Sequence, residues 1–148
     1  MYVLGKALGG GIMPVSAVVS SAAVLGVFRP GQHGSTFGGN PLGCAIAREV
    51  IAMLNTGEFQ ERSAKLGAHM HDRLSVLPAS AVRDVRGRGL WAGVEFTALT
   101  GRQVSERLME AGVLAKDTHG STLRLAPPLM ISQEDLDWAL DRLDALIR

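Results

Sequence analysis

The sequence predicts an α/β chain in two parts, the end of a larger sheet followed by a small α+β unit. Two patterns point there. Up to about residue 40, short apolar runs alternate with glycine-rich turns. Beyond it, apolar residues recur at helical spacing, with pairs of short strands between them, as helices covering a short, mostly antiparallel sheet require. By residue number the division falls at 1–57 and 58–148.

Taken in order, residues 1–4 (MYVL) read as the end of a strand, and Gly5–Gly11 as a loop. Val15–Ser20 is a second strand, apolar enough to be buried on both faces. Ser21–Val27 makes a short helix, and Arg29–Asn40 is almost wholly turn-forming. Asn40 offers an N-cap and Pro41 fits the first helical position. The helix that follows carries Leu42, Ile46, Val50, Met53 and Leu54 on one side and stops near Gly57. A second helix runs from Glu58 to Leu77 through Phe59, Leu66, Met70 and Leu74, and Pro78 ends it. Ala81–Val85 and Leu90–Phe96 read as strands joined by a turn at Arg86–Gly89. A helix over Gly101–Ala111 comes next, then strands near Val113–Lys116 and Thr122–Leu125. After Pro127 and Pro128, Ser132 with Asp135 starts a last helix through Leu136, Leu140, Leu143 and Ile147. The opening strand has no evident partner, so the chain is expected to begin in the middle of a domain.

Composition bounds the function. Of 148 residues, 47% are hydrophobic and 20% charged, which excludes disorder. Fifteen basic residues against fourteen acidic ones, without a basic stripe, give no footprint for nucleic acid. The uncharged run Ala7–Phe28 resembles a membrane span in length, but Gly9, Gly10, Gly11 and Pro14 interrupt it. Each glycine costs a helix about 1 kcal/mol and proline about 3. A single cysteine, Cys44, excludes an internal disulfide and fits a reducing, cytoplasmic compartment. It reads as a small core residue, and no zinc spacing is present.

Four residues could carry chemistry. Lys6 lies at a strand end between glycines, where a side chain can project into a pocket. On spacing alone, a surface lysine beside a turn is the simpler reading. The phosphate-loop pattern fails, since Ala7 follows the lysine where Ser or Thr is required. Ser35 and Thr36, among glycines just before a helix, can donate to a phosphate, although a plain capped surface loop fits equally. Arg124, on an apolar strand, has a fork that matches a carboxylate, either a ligand's or a structural partner's. Arg86 and Arg88 read as a solvated turn, His33 and His119 as loop residues, and His69 and His71 as too poorly aligned for a metal.

The order of these elements adds what none supplies alone. LGKALGGGIMPVSAVVSS resembles the Schiff-base lysine segment of class III aminotransferases, enzymes dependent on pyridoxal 5'-phosphate (PLP). HGSTFGGNPLGCAIA resembles their phosphate-contacting loop and following helix. VRGRGLWAGVEF resembles their first small-domain hairpin, and LAKDTHGSTLRLAPPLMI their carboxylate-arginine segment. Within the family, Pro-Val-Ser-Ala-Val and the Thr-His-Gly ahead of Arg124 are nearer to ornithine aminotransferases than to the acetylornithine or 4-aminobutyrate types. The resemblance implies the C-terminal part of an aspartate aminotransferase-like fold (fold type I). Residues 1–57 would end the large PLP-binding domain, and 58–148 would form the small domain. It also implies roles. Lys6 would carry PLP covalently and move the proton, Ser35 and Thr36 would bind its phosphate, and Arg124 would hold the α-carboxylate of glutamate or 2-oxoglutarate. Thr36 would reach into the other subunit of a dimer. The implied reaction moves the δ-amino group of L-ornithine to 2-oxoglutarate.

The resemblance begins just before the lysine. The family's other phosphate turn, its ring-stacking aromatic residue and the aspartate at the pyridine nitrogen have no matching segment here. A separate N-terminal partner completing the enzyme, an inactive remnant, and another ω-amino-acid aminotransferase are therefore all open at this stage.

Overall fold

A computed structural model describes all 148 residues and divides into two compact units, Met1–Gly57 and Glu58–Arg148.

In the first unit, strands β1 (Tyr2–Leu4) and β2 (Ala17–Val19) pair antiparallel, with Tyr2 opposite Val19 and Leu4 opposite Ala17. The opening strand therefore has a partner. The second strand is shorter than its letters suggest and is not buried on both faces, Val18 and Val19 each being about half exposed. Between them the expected loop contains a 3-10 turn, Lys6–Gly9. Helix α1 (Ala22–Leu25) is short, and helix α2 (Pro41–Leu54) starts as its sequence dictates. The Asn40 side chain accepts from the Gly43 amide at 2.7 Å, with Pro41 just inside the helix. Gly10 has φ +60°, and a Cβ there would lie 3.0 Å from the Val50 side chain, so glycine lets the loop approach α2. Cys44 is exposed on the first turns of α2 rather than buried.

The second unit has two layers. Strands β3 (Val82–Arg88), β4 (Trp91–Phe96), β5 (Lys116–Asp117) and β6 (Thr122–Leu125) form an antiparallel sheet in the order β3-β4-β6-β5. Alternation on β4 sorts its residues. Ala92, Val94 and Phe96 are buried, while Trp91, Gly93 and Glu95 turn the other way. Helices α3 (Glu58–Ser75), α4 (Gly101–Glu110) and α5 (Gln133–Ile147) close the buried face with Met70, Leu74, Val104, Leu108, Leu140 and Leu143. Thr100 and Gln103 form a complete capping box on α4, and Ser132 accepts from the Asp135 amide at 2.9 Å to start α5. Arg62 on α3 donates to the carbonyls of Leu129, Met130 and Ile131, fixing the segment that follows Pro128.

Two expectations for the strands of the second unit also need correction. Arg86–Arg88 continue β3 instead of turning, and the reversal falls at Gly89, φ +55°, and Leu90. The strand expected at Val113–Lys116 is Lys116–Asp117. No helix is long and apolar enough to cross a membrane.

Helices α3 and α5 are also tied by charge. The His69 Nε2 to Asp137 Oδ1 distance is 2.6 Å, and Arg73 donates to Asp137 at 2.9 Å and to Asp141. The His69 hydrogen bond above all, with the charges of His69 and Arg73, holds the Asp137 carboxyl below its ordinary 3.8. The folded value is the lower one, so this stabilisation is present above the unfolded value and disappears as pH falls through the folded one. We expect Asp137→Asn to be less stable than wild type near neutrality and to converge with it in acid. Urea melts at several pH values below 5 check this; a stability gap independent of pH would contradict it.

Candidate active site

Lys6 is the only non-glycine residue with positive φ, at +49°. An L-residue in this left-handed region costs roughly 1–2 kcal/mol, and such residues gather at functional sites. The conformation is held by the turn around it, with Leu8 N donating to Gly5 O at 3.1 Å and Gly10 N to Ala7 O at 3.0 Å. The Lys6 side chain is exposed, and no carboxylate pairs with its ammonium. A lysine placed by a strained backbone and unpaired at its tip is available to an incoming electrophile or anion.

Ser35 lies in the same unit, in a cleft of about 260 Å³ walled by Pro14, Ser16, Phe37, Gly39, Asn40 and Cys44 among others. Its Oγ accepts from the Gly38 amide at 2.9 Å. A hydroxyl has one proton and two lone pairs, so the proton remains free to donate. A Cβ at Gly38 would come within 2.8 Å of Ser35 Cβ, so glycine keeps this cradle open. Thr36 is exposed, and neither Thr36 nor Lys6 is among the residues lining the cleft. His33 packs on Phe28, ring centroids 5.9 Å apart.

Arg124, in the second unit, is exposed on β6, on the sheet face away from the helices. Its register neighbours are Gly93 on β4 and Lys116 on β5. It lines an open cleft with Arg86, Arg88, Trp91, Gly93, Thr118 and Thr122, and no carboxylate is among these residues. The structural ion pair that its position on an apolar strand allowed is not formed. Its guanidinium is free for an external carboxylate, which it can hold through two parallel N–H donors.

Sequence reasoning missed the ion-pair network beside Arg124. Arg86 donates to Asp84 at 2.7 Å and to Glu95 at 3.0 Å, and Arg83 donates to Glu95 at 3.2 Å. Alternation along an extended β3 would have found its Asp84–Arg86 part, since those two then share a face; Arg83 joins at the register irregularity between Val82 and Asp84.

The class-III aminotransferase family model matches residues 1–147, and the chain belongs to that family. It is 47% identical over all 148 residues to an ornithine aminotransferase of Bacillus subtilis, and 53% identical over 142 residues to one of Bordetella pertussis. Those alignments take in 100% and 95% of the chain. The chain spans 37% and 34% of the two relatives' lengths. Among solved structures, an ornithine aminotransferase of Plasmodium yoelii matches with TM-score 0.89 and 38% identity, covering 98% of this chain and 39% of that one.

Proposed function

We propose that this chain supplies the cofactor lysine, phosphate contacts and carboxylate arginine of an ornithine aminotransferase. Lys6 would hold PLP, Ser35 and Thr36 would bind its phosphate, and Arg124 would bind the α-carboxylate of glutamate or 2-oxoglutarate. The observation that carries this reading is Lys6, the one side-chain-bearing residue held at positive φ, with its ammonium unpaired. Relatives sharing about half of its residues and bearing the ornithine aminotransferase name support the choice of donor.

The residues present fit PLP. A phosphate monoester needs hydrogen-bond donors, and the Ser35 hydroxyl proton is free because Gly38 N already donates to its oxygen. When bound, PLP supplies an aldehyde that takes up the amino group and a conjugated ring that holds the electron pair left on the reacting carbon. Lys6 would hold PLP through Nζ, and as a free amine it would take the proton from the Cδ of ornithine. Ser35 and Thr36 would hold the phosphate end, Thr36 in the site of the other subunit of a dimer. Arg124 orients the amino acceptor through its α-carboxylate. Overall, the δ-amino group of L-ornithine passes to 2-oxoglutarate, giving glutamate 5-semialdehyde and L-glutamate. The assembly is a dimer, or a complex with a polypeptide matching the rest of the relatives' length, in the cytoplasm.

The test is a donor panel with PLP and 2-oxoglutarate, using the chain alone and co-expressed with such a polypeptide. L-Ornithine should give semialdehyde faster than N-acetylornithine or 4-aminobutyrate gives its aldehyde. If another donor reacts and ornithine does not, the substrate assignment fails while the family membership stands.

A further inference from the structure

The open face of the second unit's sheet carries two carboxylates, Asp84 on β3 and Glu95 on β4, and arginines other than Arg124 hold both. Glu95 could do otherwise. It faces Thr122 across the β4–β6 ladder while Gly93 faces Arg124, which makes Glu95 and Arg124 diagonal neighbours. Diagonal pairs on a sheet lie about 7–8 Å apart, within reach of long side chains. Gly93 interposes no side chain between them. Glu95 is therefore a carboxylate that the Arg124 fork could take.

The Glu95 oxygens are divided instead. Oε1 accepts from Arg83 at 3.2 Å and Oε2 from Arg86 at 3.0 Å. Arg86 also holds Asp84 at 2.7 Å and donates to Thr122 Oγ1 at 3.4 Å. Arg86 therefore spans three strands from β3 to β6 and draws the local negative charge to the far side of Gly93. The cleft beside Arg124 is left lined by arginines and polar groups without a carboxylate.

We propose that Arg86 is a positioning residue for carboxylate binding. By holding Glu95 and Asp84, it keeps the Arg124 guanidinium unpaired and open to ligand. This rests on the reading of Arg124 as the carboxylate-binding residue. In Arg86→Ala, Glu95 keeps only the exposed Arg83 and turns to the free cation diagonally across the sheet. Its intramolecular contact then competes with every incoming carboxylate.

The test uses the whole chain, with glutarate as the probe and NMR detection of the Arg124 Nε–H, assigned by its loss in Arg124→Lys. In Arg86→Ala, the Nε–H signal should move to a hydrogen-bonded, exchange-protected position, and glutarate should bind about fivefold more weakly, the size of one partly exposed ion pair. Arg86→Ala combined with Glu95→Gln should restore both the signal and the affinity, because the competing charge is gone. A merely structural role for Arg86 would leave the double variant impaired, and that outcome overturns the proposal. So does an unmoved Nε–H signal in Arg86→Ala. If wild type fails to bind glutarate, or binds it equally well as Arg124→Ala, the Arg124 reading fails, and the Nε–H signal still decides the role of Arg86.

Discussion

Lys6→Ala is expected to eliminate covalent capture of PLP. Incubated with PLP and reduced with borohydride, the wild-type chain should gain one cofactor, located on the peptide that contains Lys6, while the variant should gain none there. The chain has two other lysines, Lys65 and Lys116, and Lys116 pairs with Asp117 at 3.2 Å. Neither occupies a strained backbone position. Selectivity for Lys6 would follow from its left-handed turn and unpaired ammonium rather than from exposure, which surface lysines share. In the assembled enzyme, turnover should fall at least about 10²–10⁴-fold, the share a positioned base contributes. Peptide mapping by mass spectrometry checks the first part. Equal labelling of Lys65 or Lys116 in wild type would show that Lys6 has no special reactivity.

The second large effect concerns folding. Gly67 lies inside α3, where glycine normally weakens a helix, so Gly67→Ala would ordinarily stabilise by about 1 kcal/mol. Here the added Cβ would lie 2.3 Å from the carbonyl carbon of Gly89 and 2.4 Å from its Cα. Both are backbone atoms of the β3–β4 reversal, and no side chain can swing aside. The helix must move off the sheet, which strips contact from Leu66, Met70 and Leu74 behind it. We expect Gly67→Ala to destabilise by about 3 kcal/mol, the upper part of the usual range for overpacking. Chemical denaturation measures it, and the sign alone decides: a stabilised variant would mean that α3 and the reversal are not in this close contact.

Much of this architecture could be read from the letters, because local chemistry settles it. Asn40 before Pro41 and Ser132 before Asp135 cap helices as their residue types require. The Leu136, Leu140 and Leu143 stripe is buried, as its period demands. The errors share a cause: one residue type can serve two purposes. Gly87 and Gly89 read together as a turn. In the structure Gly87 stays in β3, where a Cβ would meet the Trp91 carbonyl oxygen at 2.0 Å, so it marks a close backbone approach instead. That misreading hid the Arg86 network, because two arginines in a turn carry no face. Val18 and Val19 show that an apolar strand states a preference for burial but not what covers it. The candidate site residues came from resemblance to the family and not from geometry. Nothing in LGKALGGG announces a lysine at φ +49°, an angle that glycine takes more readily and that the local turn imposes. The freedom of Arg124 likewise depends on where Glu95 and Asp84 find their partners.

The most direct test of the central claim is an absorbance titration of the purified chain with PLP, alone and with a polypeptide that completes the relatives' length, alongside Lys6→Ala. The account predicts a Lys6-dependent long-wavelength band that L-ornithine bleaches and 2-oxoglutarate restores. A band that forms equally in Lys6→Ala, or that ornithine leaves unchanged in the completed assembly, would contradict it.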